Sequence, residues 1–249
     1  MANCIYKYKG KDYTKEEFYS LVSNSNFIQQ EQARKFAELQ ERLNNKEFLK
    51  GAKNAFESSK GLQEWGTQEQ YNDYIARVSL GIVKNPSSGK YNYESQVKDI
   101  VYHGSPNKHD IFKTIDENAR EERFKHTGAM FTSDKNYTNA FGENLYNVVL
   151  NIKNPEILSN NTGINSTFVA TQYYSEWKNK GKDGVIGHDA LLDLDHISNG
   201  TEYVVFEPEQ IHILGSKQDI EGFKKHVNKN NPIQQTITDL FNDLEIKKC

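Results

Sequence analysis

The chain has 249 residues, room for one sizeable domain with an appendage or for two small ones. Its 31 Lys and Arg nearly balance 34 Asp and Glu, which removes any bulk electrostatic case for binding nucleic acid or a membrane surface. The mean hydropathy of -0.82 is very polar, yet 12% of the residues are aromatic, which argues for a folded chain with a modest core over a disordered one.

Residues 5 to 13, "IYKYKGKDY", alternate around a Lys-Gly-Lys turn and predict a small hairpin. Thr14 with Glu17 three residues on is a capping-box signature for a helix through about Val22. From Gln29 to about Ser59 an apolar stripe (Phe36, Leu43, Phe48, Ala52, Ala55) predicts helix, with a break at Asn44-Asn45. Thr67 predicts the cap of a further helix carrying Tyr71, Tyr74, Ile75 and Val78. The loop composition of residues 85 to 92, "NPSSGKYN", marks a module boundary. Short β signals follow at Ile100–Tyr102, Ala129–Ser133, Leu145–Lys153, Gly184–Ile186, Tyr203–Phe206 and Ile211–Leu214, with helices expected over 134–142 and about 167–180. Pro232 followed by Ile233, Ile237, Leu240, Phe241 and Leu244 predicts a C-terminal helix. The expected organisation is a helical module over residues 1–90, an α+β domain over 91–217 and a helical tail over 218–249.

Two cysteines, Cys4 and Cys249, give no basis for a disulfide framework or a thiolate zinc site. The N-terminus has no apolar signal core and no run approaches about 18 apolar residues, so the expectation is a soluble molecule of a reducing compartment. No GxxxxGK[ST] or GxGxxG loop is present. The seven histidines form no HExxH set; His103 and His109, six apart, make too weak a pattern for a metal. "GHDALLDLDH", residues 187 to 196, lacks the glycine spacing of a calcium loop, and no GxSxG elbow accompanies Ser105 or Ser133.

An ordered set of segments remains: "VYHGS" with His103, Gly104 and Ser105; "GAMFTSD" from Gly128; "KNYTNAFG"; and "NGTEYVVFEPEQIHIL" with Glu202. In this order residues about 98 to 216 resemble the ADP-ribosyltransferases of the diphtheria-toxin and poly(ADP-ribose) polymerase branch. More narrowly, they resemble the domains of this kind in polyvalent proteins of phages and mobile elements. "GTQEQYNDYIARV" is similar to the helical lead-in of such proteins. The resemblance implies an α+β fold, a split mixed β-sandwich with NAD as co-substrate in the cleft and no metal. It implies that His103 holds an adenosine ribose hydroxyl, and that the backbone of Gly104 holds the nicotinamide amide. Ser105, Phe131 and Thr132 fall in the same binding segments. Thr138 falls where a hydroxyl meets the carboxamide, and Phe141 where an aromatic stacks on nicotinamide. Met130 stands where the pattern has a tyrosine; Tyr137 is a substitute for it. Glu202 falls on the catalytic carboxylate, and Gly200 occupies the position where some families carry a Glu or Gln that helps select Arg or Asp/Glu targets, which argues against a simple arginine-specific enzyme. Arg120 and Arg123 are placed to contact phosphates or simply to face solvent.

The expected activity is mono-ADP-ribosylation of a macromolecular acceptor, protein favoured over nucleic acid, by a phage-encoded, toxin-like protein acting in the host cytoplasm and carried in a virion or not. No membrane partner is expected. An inactive interaction or virion protein of this fold, an NAD glycohydrolase and a nucleic-acid ADP-ribosyltransferase are the alternatives.

Overall fold

The structure, a computed structural model, describes residues 6–8, 11–22, 24–89, 95–115, 128–158, 166–188, 192–193, 196–197 and 200–228. The expected helix after Pro232, both arginines at 120 and 123, and both cysteines lie outside the described residues. Strands β1 (Tyr6–Tyr8) and β2 (Lys11–Tyr13) pair antiparallel as the hairpin pattern predicts. The Thr14 and Glu17 amides each donate to the other's side chain, at 2.9 and 3.2 Å, and this box starts α1 (Lys15–Val22).

The break at Asn45 separates α2 (Ser25–Asn44) from α3 (Lys46–Ser58). The Asn45 carboxamide oxygen accepts from the Glu47 and Phe48 amides, while its own N–H closes α2 on the Arg42 carbonyl. One short polar side chain thus ends one helix and begins the next. After α4 (Lys60–Gln63) comes α5 (Gln68–Ser79), capped by Thr67 and Gln70. The stripes of α3 and α5 bury Phe48, Ala52, Ala55, Tyr71, Tyr74, Ile75 and Val78 together with Phe223 of α7 (Lys217–Val227). Ile100, Val149 and Leu214 belong to the same core, so the helices share it with the sheet. A Cβ at Gly51 would lie 2.8 Å from the Ile100 Cβ, and α3 therefore rests directly on the chain entering the next strand.

Seven strands form one mixed sheet: β3 (Val101–Ser105), β4 (Ala129–Thr132), β5 (Asn144–Leu150), β6 (Pro155–Leu158), β7 (Gly184–His188), β10 (Thr201–Val205) and β11 (Ile211–Ile213). Their order is β11-β5-β3-β4-β10-β7-β6, with β6–β7 parallel and the other pairs antiparallel. A small hairpin, β8 (Leu192–Asp193) with β9 (His196–Ile197), precedes β10. Strand β6 escapes the sequence reading because Asn154-Pro155 looks like a strand end. Pro155 instead opens an edge strand, where its missing N–H removes no ladder bond. The helix α6 (Ser166–Asn179) then carries the chain to the parallel partner β7. The helix expected over 134–142 shrinks to a 3-10 turn, Tyr137–Phe141, ended by Gly142 at φ 140°.

Among the described residues the ladders join the seven strands in one sheet. Among the described residues β3 and β4 share one pair, Tyr102 with Thr132, against five pairs between β3 and β5 and four between β4 and β10. The sheet is one in hydrogen bonding and splits at that single rung. The chain is α+β.

Candidate active site

Directly paired residues on neighbouring strands project to the same face. Tyr102, Thr132 and Glu202 therefore form one row across β3, β4 and β10, and Gly187 of β7 stands opposite Glu202 on the other side. Further along β4 and β10 the same face carries Met130 and Val204, which pack with Phe206 and, from α6, Trp177 and Tyr174. Glu202 is 1% exposed, buried where the sheet is splitting. The glycine opposite leaves no side chain over that flank of the carboxylate. Around it, the Ser133 amide donates to the Thr201 carbonyl at 2.9 Å and the Thr201 amide to the Ser133 hydroxyl at 2.8 Å, which fixes the mouth of β10 against the end of β4.

His103 alternates to the opposite face, where its ring lies 5.6 Å from Phe131, 4.7 Å from Phe112 and 6.2 Å from Tyr146. The histidine and Glu202 are two strands apart, about 10 Å at ordinary strand spacing. The imidazole Nδ1 lies 2.7 Å from the Met130 carbonyl, which can only accept, so Nδ1 carries the proton. This side-chain bond replaces the ladder rung that the split removes. Burial pushes the His103 pKa down and His109 adds to the effect, against the Met130 carbonyl, which favours the charged form. In the neutral ring Nε2 keeps a lone pair, free to accept from a hydroxyl.

A cavity of about 410 Å³ opens beside this ring, lined by His103, His109, Ile111, Phe112, Gly128 and Met130 among others. That volume and its mostly apolar lining suit one flat heteroaromatic group with its sugar. His109 carries no sequence signal as a site residue beyond its six-residue spacing from His103, which is too weak a pattern for a metal. The structure puts the two rings 6.2 Å apart on one cavity wall. Tyr146 holds the intervening loop, its hydroxyl accepting from the His109 amide at 2.6 Å. Ser105 is buried and bonded at 2.8 Å to His109 Nε2, so it braces this loop instead of facing the cavity.

Gly104 is where the nearby turn comes closest. A Cβ there would stand 2.1 Å from the Thr138 carbonyl oxygen, so only glycine lets the Tyr137–Phe141 turn sit on β3. At the other end of that turn Gly142 packs equally tightly, its absent Cβ 2.2 Å from the Pro106 nitrogen. Thr138 is buried and donates its hydroxyl to the Lys135 carbonyl at 2.6 Å, keeping lone pairs for an incoming donor. Phe141 is 46% exposed with Tyr137 edge-on at 5.0 Å, an aromatic face presented beside Gly104. Phe131 is a core residue, and Thr132 uses its hydroxyl to accept from the Asp134 amide at 3.0 Å.

Two groups of expected residues thus gather around the split. Glu202 and Thr132 lie on one face with the Gly104–Thr138–Phe141 turn at its edge, and His103 and Phe131 lie on the other with the cavity. The row carries a buried carboxylate suited to stabilising positive charge, and the cavity carries a neutral imidazole with an acceptor to offer. Among the described residues no group of three or more His, Cys, Asp or Glu is placed to hold a metal, and no helix is long and apolar enough to cross a membrane. Comparison with curated proteins and with solved structures gave no match. Residues 97–219, which contain every residue of this site, match the family model described as ADP-Ribosyltransferase in polyvalent proteins.

Proposed function

With residues 97–219 belonging to the ADP-ribosyltransferase family of polyvalent proteins, whose substrate is NAD, we propose that this chain transfers the ADP-ribose of NAD to a macromolecular acceptor, a protein in preference to a nucleic acid. The observation that carries the reading is the buried carboxylate of Glu202, held in register with Thr132 at the split and faced by Gly187. Breaking the nicotinamide glycosidic bond develops positive charge on the anomeric carbon, as in glycoside hydrolysis. A fixed carboxylate beside that carbon stabilises the charge and needs no reorganisation when it forms.

The other residues bind and orient. The His103 Nε2 accepts from a ribose hydroxyl of the adenosine half, whose base enters the cavity under Phe112. The Gly104 backbone and the Thr138 hydroxyl hold the carboxamide, and Phe141 stacks on the pyridinium, a cation favoured by an aromatic face. Met130 offers no hydroxyl where related sites carry a tyrosine, so this chain grips NAD by fewer polar contacts. Gly200 offers no side chain to select an arginine, which points the acceptor chemistry away from guanidinium groups. The phage setting and a host acceptor remain part of this proposal.

The test is nicotinamide release from NAD by wild type and Glu202→Gln. The variant should be slower by roughly 10²–10³, by analogy with removing one preorganised electrostatic group. Equal rates would refute the role of Glu202. Absence of release, with no stabilisation of the fold by NAD, would leave a non-enzymatic scaffold. Labelled NAD offered to protein and to nucleic-acid fractions identifies the acceptor class.

A further inference from the structure

Away from the split, Ser87 meets His212 and Asp219, two neighbours more than a hundred residues further along the chain, in a relay that the proposed reaction does not use. The Ser87 hydroxyl, on the exposed turn after α5, lies 2.9 Å from Nδ1 of His212 on β11. Nε2 of His212 lies 2.8 Å from Oδ1 of Asp219 at the start of α7, and both of these side chains are fully buried. Asp219 is anchored in turn, its Oδ2 accepting from the Tyr71 hydroxyl at 2.6 Å and from the Gly215 amide at 2.7 Å. The carboxylate assigns the proton of the neutral ring to Nε2. Nδ1 then presents its lone pair to the Ser87 O–H.

A hydroxyl bonded to the free nitrogen of a carboxylate-oriented imidazole is the arrangement that activates a serine as nucleophile. Packing alone needs no such partner, since any backbone carbonyl would satisfy a buried imidazole N–H. Here the free end of the relay is a hydroxyl at the surface. The sequence does not bring these side chains together: position 87 lies in a loop and 219 in a helix, and His212 enters the ordered segments only as part of the strand that ends "QIHIL".

The geometry points to Ser87 as an acceptor of ADP-ribose on this protein itself, a modification site that rests on the transferase reading above. In the step, Ser87 Oγ bonds to the anomeric carbon of the nicotinamide ribose. The bond from that carbon to the pyridine nitrogen breaks, its electron pair stays on nitrogen, and neutral nicotinamide leaves. The hydroxyl proton passes to Nδ1 of His212, giving an imidazolium paired with Asp219, and then to water.

The experiment incubates the full chain with NAD and maps ADP-ribose by peptide mass spectrometry, with nicotinamide release measured in the same tube. Expected is modification at Ser87 exceeding that at the exposed serines Ser20 and Ser58 by about a hundredfold, the lower range of general-base assistance. Ser87→Ala should lose that label and keep the nicotinamide release in excess of one equivalent per chain, in which water is the acceptor. His212→Gln retains an N–H for Asp219 but lacks the base, and should lower Ser87 labelling by a similar factor with this hydrolytic release unchanged. If that variant fails to fold, the ratio among serines in the wild type decides. Release of nicotinamide without preferential labelling of Ser87 overturns this inference and leaves the transferase reading standing. No release from the wild type overturns both.

Discussion

Replacing Gly104 by alanine tests the link between the backbone of β3 and the turn that carries Thr138 and Phe141. The added Cβ would stand 2.1 Å from the Thr138 carbonyl oxygen, 2.9 Å from its carbon and 3.1 Å from the Thr138 Cβ. The oxygen must retreat by about 1 Å to reach a tolerable contact, and as backbone it cannot do so by a rotamer change. Gly142 clamps the far end of the same turn onto Ser105 and Pro106, so the turn moves as a unit and takes Phe141 with it. Overpacking of this kind costs about 1–3 kcal/mol of stability. A displacement of about 1 Å at a positioning element costs roughly 10²-fold in rate. Urea unfolding and nicotinamide release measure the two effects separately. Gly89→Ala is the control: its φ of 67° strains a side chain, but nothing lies within 4 Å of its Cβ. A Gly104→Ala protein with full release and stability within about 0.5 kcal/mol of wild type would refute the close approach and with it the placement of Phe141 at the site.

Burial lowers the His103 pKa below its ordinary 6.5, so folding favours the neutral ring. Its contribution to stability is whole above that ordinary value and is lost as pH falls through the lower folded value; NAD affinity should follow, and a His103→Gln protein should lose that part of the pH dependence in calorimetric titration. Burial raises the Asp73 pKa, but bonds from His226 and Arg77 outweigh it and leave the group below its ordinary 3.8. Asp73→Asn should cost about 1–2 kcal/mol near neutrality, and the gap from wild type in chemical denaturation should close only as pH falls below about 4. Gly51→Ala should destabilise by about 1–2 kcal/mol despite alanine's better helix propensity, because its Cβ meets Ile100; a melting temperature at or above wild type would show that α3 is not seated on the sheet.

Much of the fold is legible locally. Thr14 with Glu17, Asn45, and Thr67 with Gln70 cap helices through bonds spanning two or three residues, so the pattern and the structure are the same fact. Alternation places β3, β4, β5, β7, β10 and β11 within a few residues of where they stand. Motif order nominates His103, Gly104, Phe141 and Glu202 as candidates, at positions within the span that the family model matches. Local signals fail where a partner far away decides. Pro155 reads as a terminator until β7 offers it a sheet edge, and the run 134–142 reads as helix until Gly142 must pack on Ser105.

The sequence by itself determined the helical caps, the strand segments and the residue types available for chemistry, since these depend on neighbours a few bonds apart. Only the tertiary structure decided that β3 and β4 share one rung, that His103 bonds the Met130 carbonyl across the gap, and that Glu202 stands level with Thr132 and Gly187. It alone decided, too, that Ser87, His212 and Asp219 meet. Register and contact between segments a hundred residues apart are set by which buried faces fill one another. No single segment carries that information.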